Sequence, residues 1–87
     1  MTDFTTMEKL QIDGGSLASV LRYDDHVIYT RMVWNGTYIV RIYEFVDEPD
    51  KDFDAFECRL NIIDSNENFK DAGHAVSWAI GMIEELE

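Results

Sequence analysis

Apolar and polar residues alternate at strand spacing through the middle of the chain, and apolar positions recur at helical spacing near its end. Leu17 to Tyr23 reads as a strand, Asp24-Asp25 as a tight turn, and His26 to Trp34 as a second strand rich in β-branched and aromatic residues. Asn35-Gly36 follows. Between two such runs this pair predicts a two-residue type I′ hairpin, because both central residues need positive φ and these two tolerate it. That turn sets Trp34 opposite Thr37, Met32 opposite Ile39, Thr30 opposite Arg41 and Ile28 opposite Tyr43 on one side of the sheet. The other side carries Val27, Tyr29, Arg31, Val33, Tyr38, Val40 and Ile42. Both sides are largely apolar, so the hairpin is central and covered on both faces, or one face is a binding surface.

Beyond Phe45 the chain enters Asp47-Glu48-Pro49-Asp50-Lys51-Asp52-Phe53-Asp54, a loop by its proline and its charge density. A fourth strand is predicted from Ala55 to Ile63, with Phe56, Cys58, Leu60 and Ile62 inward and Glu57, Arg59 and Asn61 outward. A helix is predicted from about Asn66 to the C-terminus, with Asp64, Ser65 or Asn66 as its N-cap. Phe69, Ala72, Val76, Ala79, Ile80 and Ile83 form its packing stripe, and Trp78 falls off that stripe, toward His74, Met82 and Glu85. Nearer the start, Thr5-x-x-Glu8 matches a capping box for one helical turn over Met7 to Gln11, and Gly14-Gly15 breaks the chain. The pattern specifies one α+β domain over residues 1–87: a four-stranded, mainly antiparallel sheet with a central Asn-Gly hairpin and a C-terminal helix on one face.

Composition narrows the picture. The 87 residues leave room for one core, and with 46% hydrophobic residues that core needs no metal or disulfide. Cys58 is the single cysteine, which excludes an internal disulfide and reads as a small core hydrophobe. The sequence shows no signal-peptide pattern and no apolar run of membrane-spanning length, which points to a cytoplasm, bacterial or phage-infected. Asn35-Gly36-Thr37 matches a glycosylation sequon, but turn formation accounts for it.

Charge changes the picture most. Eighteen acidic residues against seven basic ones give a net charge of −11, which costs stability through self-repulsion. Such a field speeds encounter with a basic partner and disfavours direct nucleic-acid or anionic-membrane binding. Asp50-x-Asp52-x-Asp54 begins like an EF-hand loop, but Ala55 stands where glycine is required and Asn61 where a bidentate glutamate belongs. No metal or cofactor site is expected. With only His26 and His74 as histidines, and no nucleophile elbow, P-loop or H-E-x-x-H, no catalytic apparatus assembles, and an enzyme is not expected.

The expected binding residues are therefore Asp47, Glu48, Asp50, Asp52 and Asp54, with Asp24 and Asp25, and the tryptophans Trp34 and Trp78 as hydrophobic anchors. In an extended segment, alternate side chains on one face stand about 6.6–6.8 Å apart, near the phosphate repeat of a nucleic-acid strand. By size, acidity and layout the chain resembles the broad class of small inhibitors that includes anti-CRISPR, anti-restriction and other DNA-mimic proteins. The resemblance covers composition and architecture and transfers no residue roles. It implies a protein that occludes the basic groove of a nucleic-acid-binding partner, as a monomer or homodimer. An immunity protein against a basic toxin nuclease makes the same prediction. A structural or oligomerisation module using the apolar hairpin face and Trp78 is the alternative from another class, and acid-rich adaptation to high salt is a third.

Overall fold

The computed structural model describes residues 5–23, 25–46 and 58–86. Helix α1 (Met7–Gly14) is followed by a 3-10 turn, Gly15–Leu17, and by strands β1 (Ala18–Tyr23), β2 (His26–Met32), β3 (Tyr38–Phe45) and β4 (Leu60–Phe69). Helix α2 (Ala72–Leu86) comes last. The sheet is antiparallel throughout, in the order β1-β2-β3-β4, so the predicted α+β class and the central position of the β2–β3 hairpin hold. Among the described residues no helix is long and apolar enough to cross a membrane.

The hairpin turn differs from the prediction by one residue. Met32 pairs with Tyr38, Thr30 with Val40 and Ile28 with Ile42, and the loop between them is Trp34-Asn35-Gly36. The Gly36 N–H donates to the Val33 carbonyl at 2.9 Å and the Val33 N–H to the Thr37 carbonyl at 2.8 Å. Only Gly36 has positive φ, at 83°; Asn35 does not. This is the three-residue hairpin in which a type I turn is followed by a left-handed glycine, rather than the I′ turn that needs both residues left-handed. Asn35 favours it, because its Oδ1 accepts from both the amide (3.1 Å) and the hydroxyl (2.6 Å) of Thr37.

A slip of one residue moves every side chain of β3 to the opposite face relative to β2. Ile28, Val40 and Ile42 share one face and are buried against Ala75, Ala79 and Ile83 of α2. Val27, Tyr29 and Tyr43 share the other, where they pack with Leu60 and with Met7 and Leu10 of α1. The sheet is thus covered by a helix on each side, which is why both faces of the hairpin read as apolar.

Helix α1 starts at Met7 as predicted and runs on to Gly14, but its cap and the start of α2 differ from the prediction. Thr6, not Thr5, is the N-cap of α1; its hydroxyl accepts from the Lys9 N–H at 3.2 Å. Thr5 is engaged elsewhere, exchanging backbone hydrogen bonds with Leu60 on the outer side of β4. Residues 64–69, read as a helix cap and first turn, are the second half of β4, pairing Asp64 with Ile42, Asn66 with Val40 and Phe69 with Tyr38. Two register irregularities in that ladder consume the extra residues, and Asn68 takes a left-handed conformation, φ 69°. The Asp64 and Asn66 side chains accept from the amides of Ser65 and Glu67, both at 2.8 Å, and so serve as local partners in a strand rather than as a cap. The cap of α2 is Asp71, whose Oδ1 accepts from the His74 N–H at 2.8 Å.

Cys58, just before β4, and Leu60 are buried as the alternation required, whereas Ile62, opposite Tyr43 on the edge strand, is 49% exposed. Phe56 and Glu57 of the predicted fourth strand lie outside the described residues.

Candidate functional site

The register gives the sheet two chemically different ends. At one end lie the β1–β2 turn with Asp25, the point where the chain leaves β3 at Val46, and the point where it returns at Cys58. Tyr23, His26, Glu44 and Asn61 are successive partners in one row across the four strands there. Asn61 Nδ2 donates to Glu44 Oε1 at 3.3 Å, and the Tyr23 hydroxyl donates to Glu84 Oε1 at 2.9 Å. The second contact brings the C-terminal turn of α2, with Glu84 and Glu85, to the same end of the molecule.

The chain that joins Val46 to Cys58 carries six carboxylates and one lysine. The other 76 residues carry twelve acidic and six basic residues. Five of the eleven surplus negative charges therefore fall, in sequence, on the eleven residues of this connection, a higher density than in the rest of the chain. Asp24, Asp47, Glu48, Asp50, Asp52 and Asp54 lie outside the described residues, and of the expected acidic binding residues only Asp25 is seen, exposed in its turn.

Trp34 lies at the opposite end, at the hairpin tip, 97% exposed. Close to it are Leu17 and the end of α1, where Ile12 is also exposed. Trp78 belongs to the α2 face and not to the α1 side where Trp34 borders a trough. It is half-buried in the α2 core, with its ring centroid 6.1 Å from that of Phe69 and the planes tilted by 48°. The helix stripe accordingly centres on Ala75, Ala79 and Ile83, with Val76, Trp78, Ile80 and Met82 flanking it. The structure does not bring the two tryptophans onto one surface.

The pair that sequence reasoning missed is Arg31 and Arg41. The observed register puts Tyr29 opposite Arg41, so both arginines stand on the α1 face of the two central strands. A type I′ register places them on opposite faces, and that one-residue difference hid them. His74 is exposed on α2, its Nδ1 3.0 Å from Asp71 Oδ2. Among the described residues no group of three His, Cys, Asp or Glu side chains could hold a metal ion.

These features define a small α+β protein whose chain leaves β3 and re-enters toward β4 at one end of the sheet and whose hairpin tip, at the other, carries an exposed tryptophan. The family described as nucleotide modification associated domain 4 matches residues 1–83, and the chain belongs to it. No curated protein and no solved structure matches the chain.

Proposed function

We propose that the chain is a non-catalytic accessory protein of a nucleotide-modification system that docks through its acidic end onto a basic, nucleic-acid-binding protein. The observation that supports this reading is the distribution of charge along the chain: the eleven residues between Val46 and Cys58 carry six carboxylates and one lysine, against twelve acidic and six basic residues in the other 76. If acidity served solubility alone, the charges would do as well spread over the surface. Concentrated, they set up a local potential that steers a positively charged surface and rejects wrong partners. Bound in a nucleic-acid groove, Asp47, Glu48, Asp50, Asp52 and Asp54 stand where phosphates would sit and block it. The family's description, with its word "associated", suits an accessory of this kind.

The oligomerisation reading draws little from the structure, because the apolar residues of the hairpin lie beneath α1 and α2.

The test is capture from a host lysate at low salt, with elution by rising salt, repeated with the five carboxylates of residues 47–54 replaced by their amides. The reading expects a basic protein that elutes early in the gradient and is not captured by the amide variant. Capture that is insensitive to salt, or unchanged by the five replacements, overturns it.

A further inference from the structure

We propose that the α1 face of the sheet, near the hairpin tip, binds a nucleoside 5′-monophosphate, with Arg31 and Arg41 receiving the phosphate and Trp34 stacking on the base. The site does not depend on the acidic end binding a protein.

Three observations converge. First, Arg31 stands opposite Ile39 and Arg41 opposite Tyr29, so the arginines are diagonal neighbours on adjacent central strands. At that spacing long side chains reach one another, and like charges repel. Arg41 lies over the Tyr29 ring, 5.8 Å from its centroid, and neither arginine forms an ion pair with a described carboxylate. Two adjacent guanidinium groups on this face thus have no ion-pair partner among the described residues, and an external anion can bridge them. Arginine's planar fork fits phosphate oxygens in a bidentate manner.

Second, each arginine borders a trough of about 330 Å³, within the size range of small-molecule sites. The trough beside Arg41 is walled by Ile39, Ser65, Asn66 and Glu67, and the Ser65 hydroxyl, opposite Arg41 in the ladder, is a further donor for an anion. The trough beside Arg31 is bordered by Asp13, Gly14, Leu17 and Trp34. Asp13 is an acceptor there, suited to an amino group on a base or a hydroxyl of the sugar.

Third, Trp34 is 97% exposed and shares the Arg31 trough. It is three residues from Arg31, about 10 Å at strand spacing. A nucleotide reaching from base to phosphate, met by an extended arginine side chain, covers that interval. An indole face in water next to a cation is the arrangement that recognises a base by stacking and its phosphate by charge.

The overall charge of −11 does not defeat the site. Arg41 is four residues from Phe45, about 13 Å along the strand. At physiological ionic strength the screening length is about 8 Å, so the described carboxylates of the far end, Glu84 and Glu85, are attenuated there, and of the described carboxylates only Asp13 and Glu67, which border the troughs, act at close range.

The test is titration of the full chain with each of the four deoxynucleoside 5′-monophosphates, read by tryptophan fluorescence and by amide chemical shifts. Unphosphorylated deoxynucleosides, inorganic phosphate and a short single-stranded oligonucleotide are the comparison arms. At least one monophosphate is expected to quench fluorescence saturably and to shift the amides of residues 31–41, with the nucleoside and phosphate alone binding at least tenfold more weakly. Trp34→Phe should abolish the quench. Arg31→Gln and Arg41→Gln should each weaken binding at least tenfold with an unchanged circular-dichroism spectrum, and Arg41→Lys, which keeps a cation over Tyr29, should recover part of the loss. The proposal is overturned if no monophosphate binds below millimolar concentration, if the oligonucleotide alone binds, or if binding survives the Arg31→Gln/Arg41→Gln double replacement.

Discussion

Gly14, the last residue of α1, packs directly on Tyr29: a β-carbon at Gly14 would stand 2.9 Å from the Tyr29 hydroxyl and 2.0 Å from the Ala18 β-carbon. The backbone of Gly14 is right-handed helical, φ −82°, so what the position requires is space and not conformational freedom. Gly14→Ala must push α1 off β1 and the sheet, at a cost of about 1–3 kcal/mol or more, the range for overpacking a core. Urea denaturation checks this, and an alanine variant as stable as the parent would show that the helix end is not packed as described.

The same tyrosine allows a second test. Tyr29 is buried to 1% exposure, and its hydroxyl has no hydrogen-bond partner among the described residues. An unpartnered buried hydroxyl carries a desolvation cost of about 1–3 kcal/mol. Tyr29→Phe should therefore leave stability unchanged or raise it. A loss of more than about 1 kcal/mol in a thermal melt would mean the hydroxyl has a partner.

Asn68 holds the left-handed conformation that ends β4, φ 69°. Asparagine tolerates that region and glycine more so, whereas a β-branched residue is strained there by about 1–2 kcal/mol. Asn68→Gly should be close to neutral, and Asn68→Val should lower the midpoint of thermal unfolding. Equal stability of the two variants would exclude strain at this position.

Asp71 caps α2 through the His74 amide. Asp71→Ala should cost about 1 kcal/mol, as loss of an N-cap does, and Asp71→Asn, which keeps the acceptor, considerably less. Replacing Asp64 or Asn66 by alanine should not produce a helix-cap loss, since neither lies at the start of α2. Denaturant midpoints of the four variants separate these positions.

Layer architecture was legible because alternation reports which residues are buried whatever their partners are. Cys58 and Leu60 around the start of β4, and Ala79 and Ile83 in α2, are interior as the spacing required. Register was not legible. Asn-Gly is compatible with both a two-residue and a three-residue hairpin, and the choice rests on the Asn35 side chain binding Thr37, a local contact that composition does not reveal. From that single slip follow both the exchange of faces in β3 and the pairing of Arg31 with Arg41 on one surface.

The start of α2 was misplaced for a related reason. Phe69 is spaced from Ala72 and Val76 as a helical stripe would be, and Asp64 and Asn66 are as good caps as Asp71. What decides is that β3 is eight residues long and β4 pairs with it from Phe45 to Tyr38. Of the candidate binding residues, Trp34 stands free at the tip while Trp78 fills the edge of the core against Phe69, a difference that helical spacing alone could not resolve.

The eight residues of β3 have a geometric consequence. At about 3.4 Å per residue they hold Val46, where the chain leaves the strand, and the hairpin loop with its exposed indole roughly 27 Å apart. If both proposed sites are used, a macromolecule bound at the first would leave the second open to solvent, and the strand would serve as a rigid spacer between two ligands.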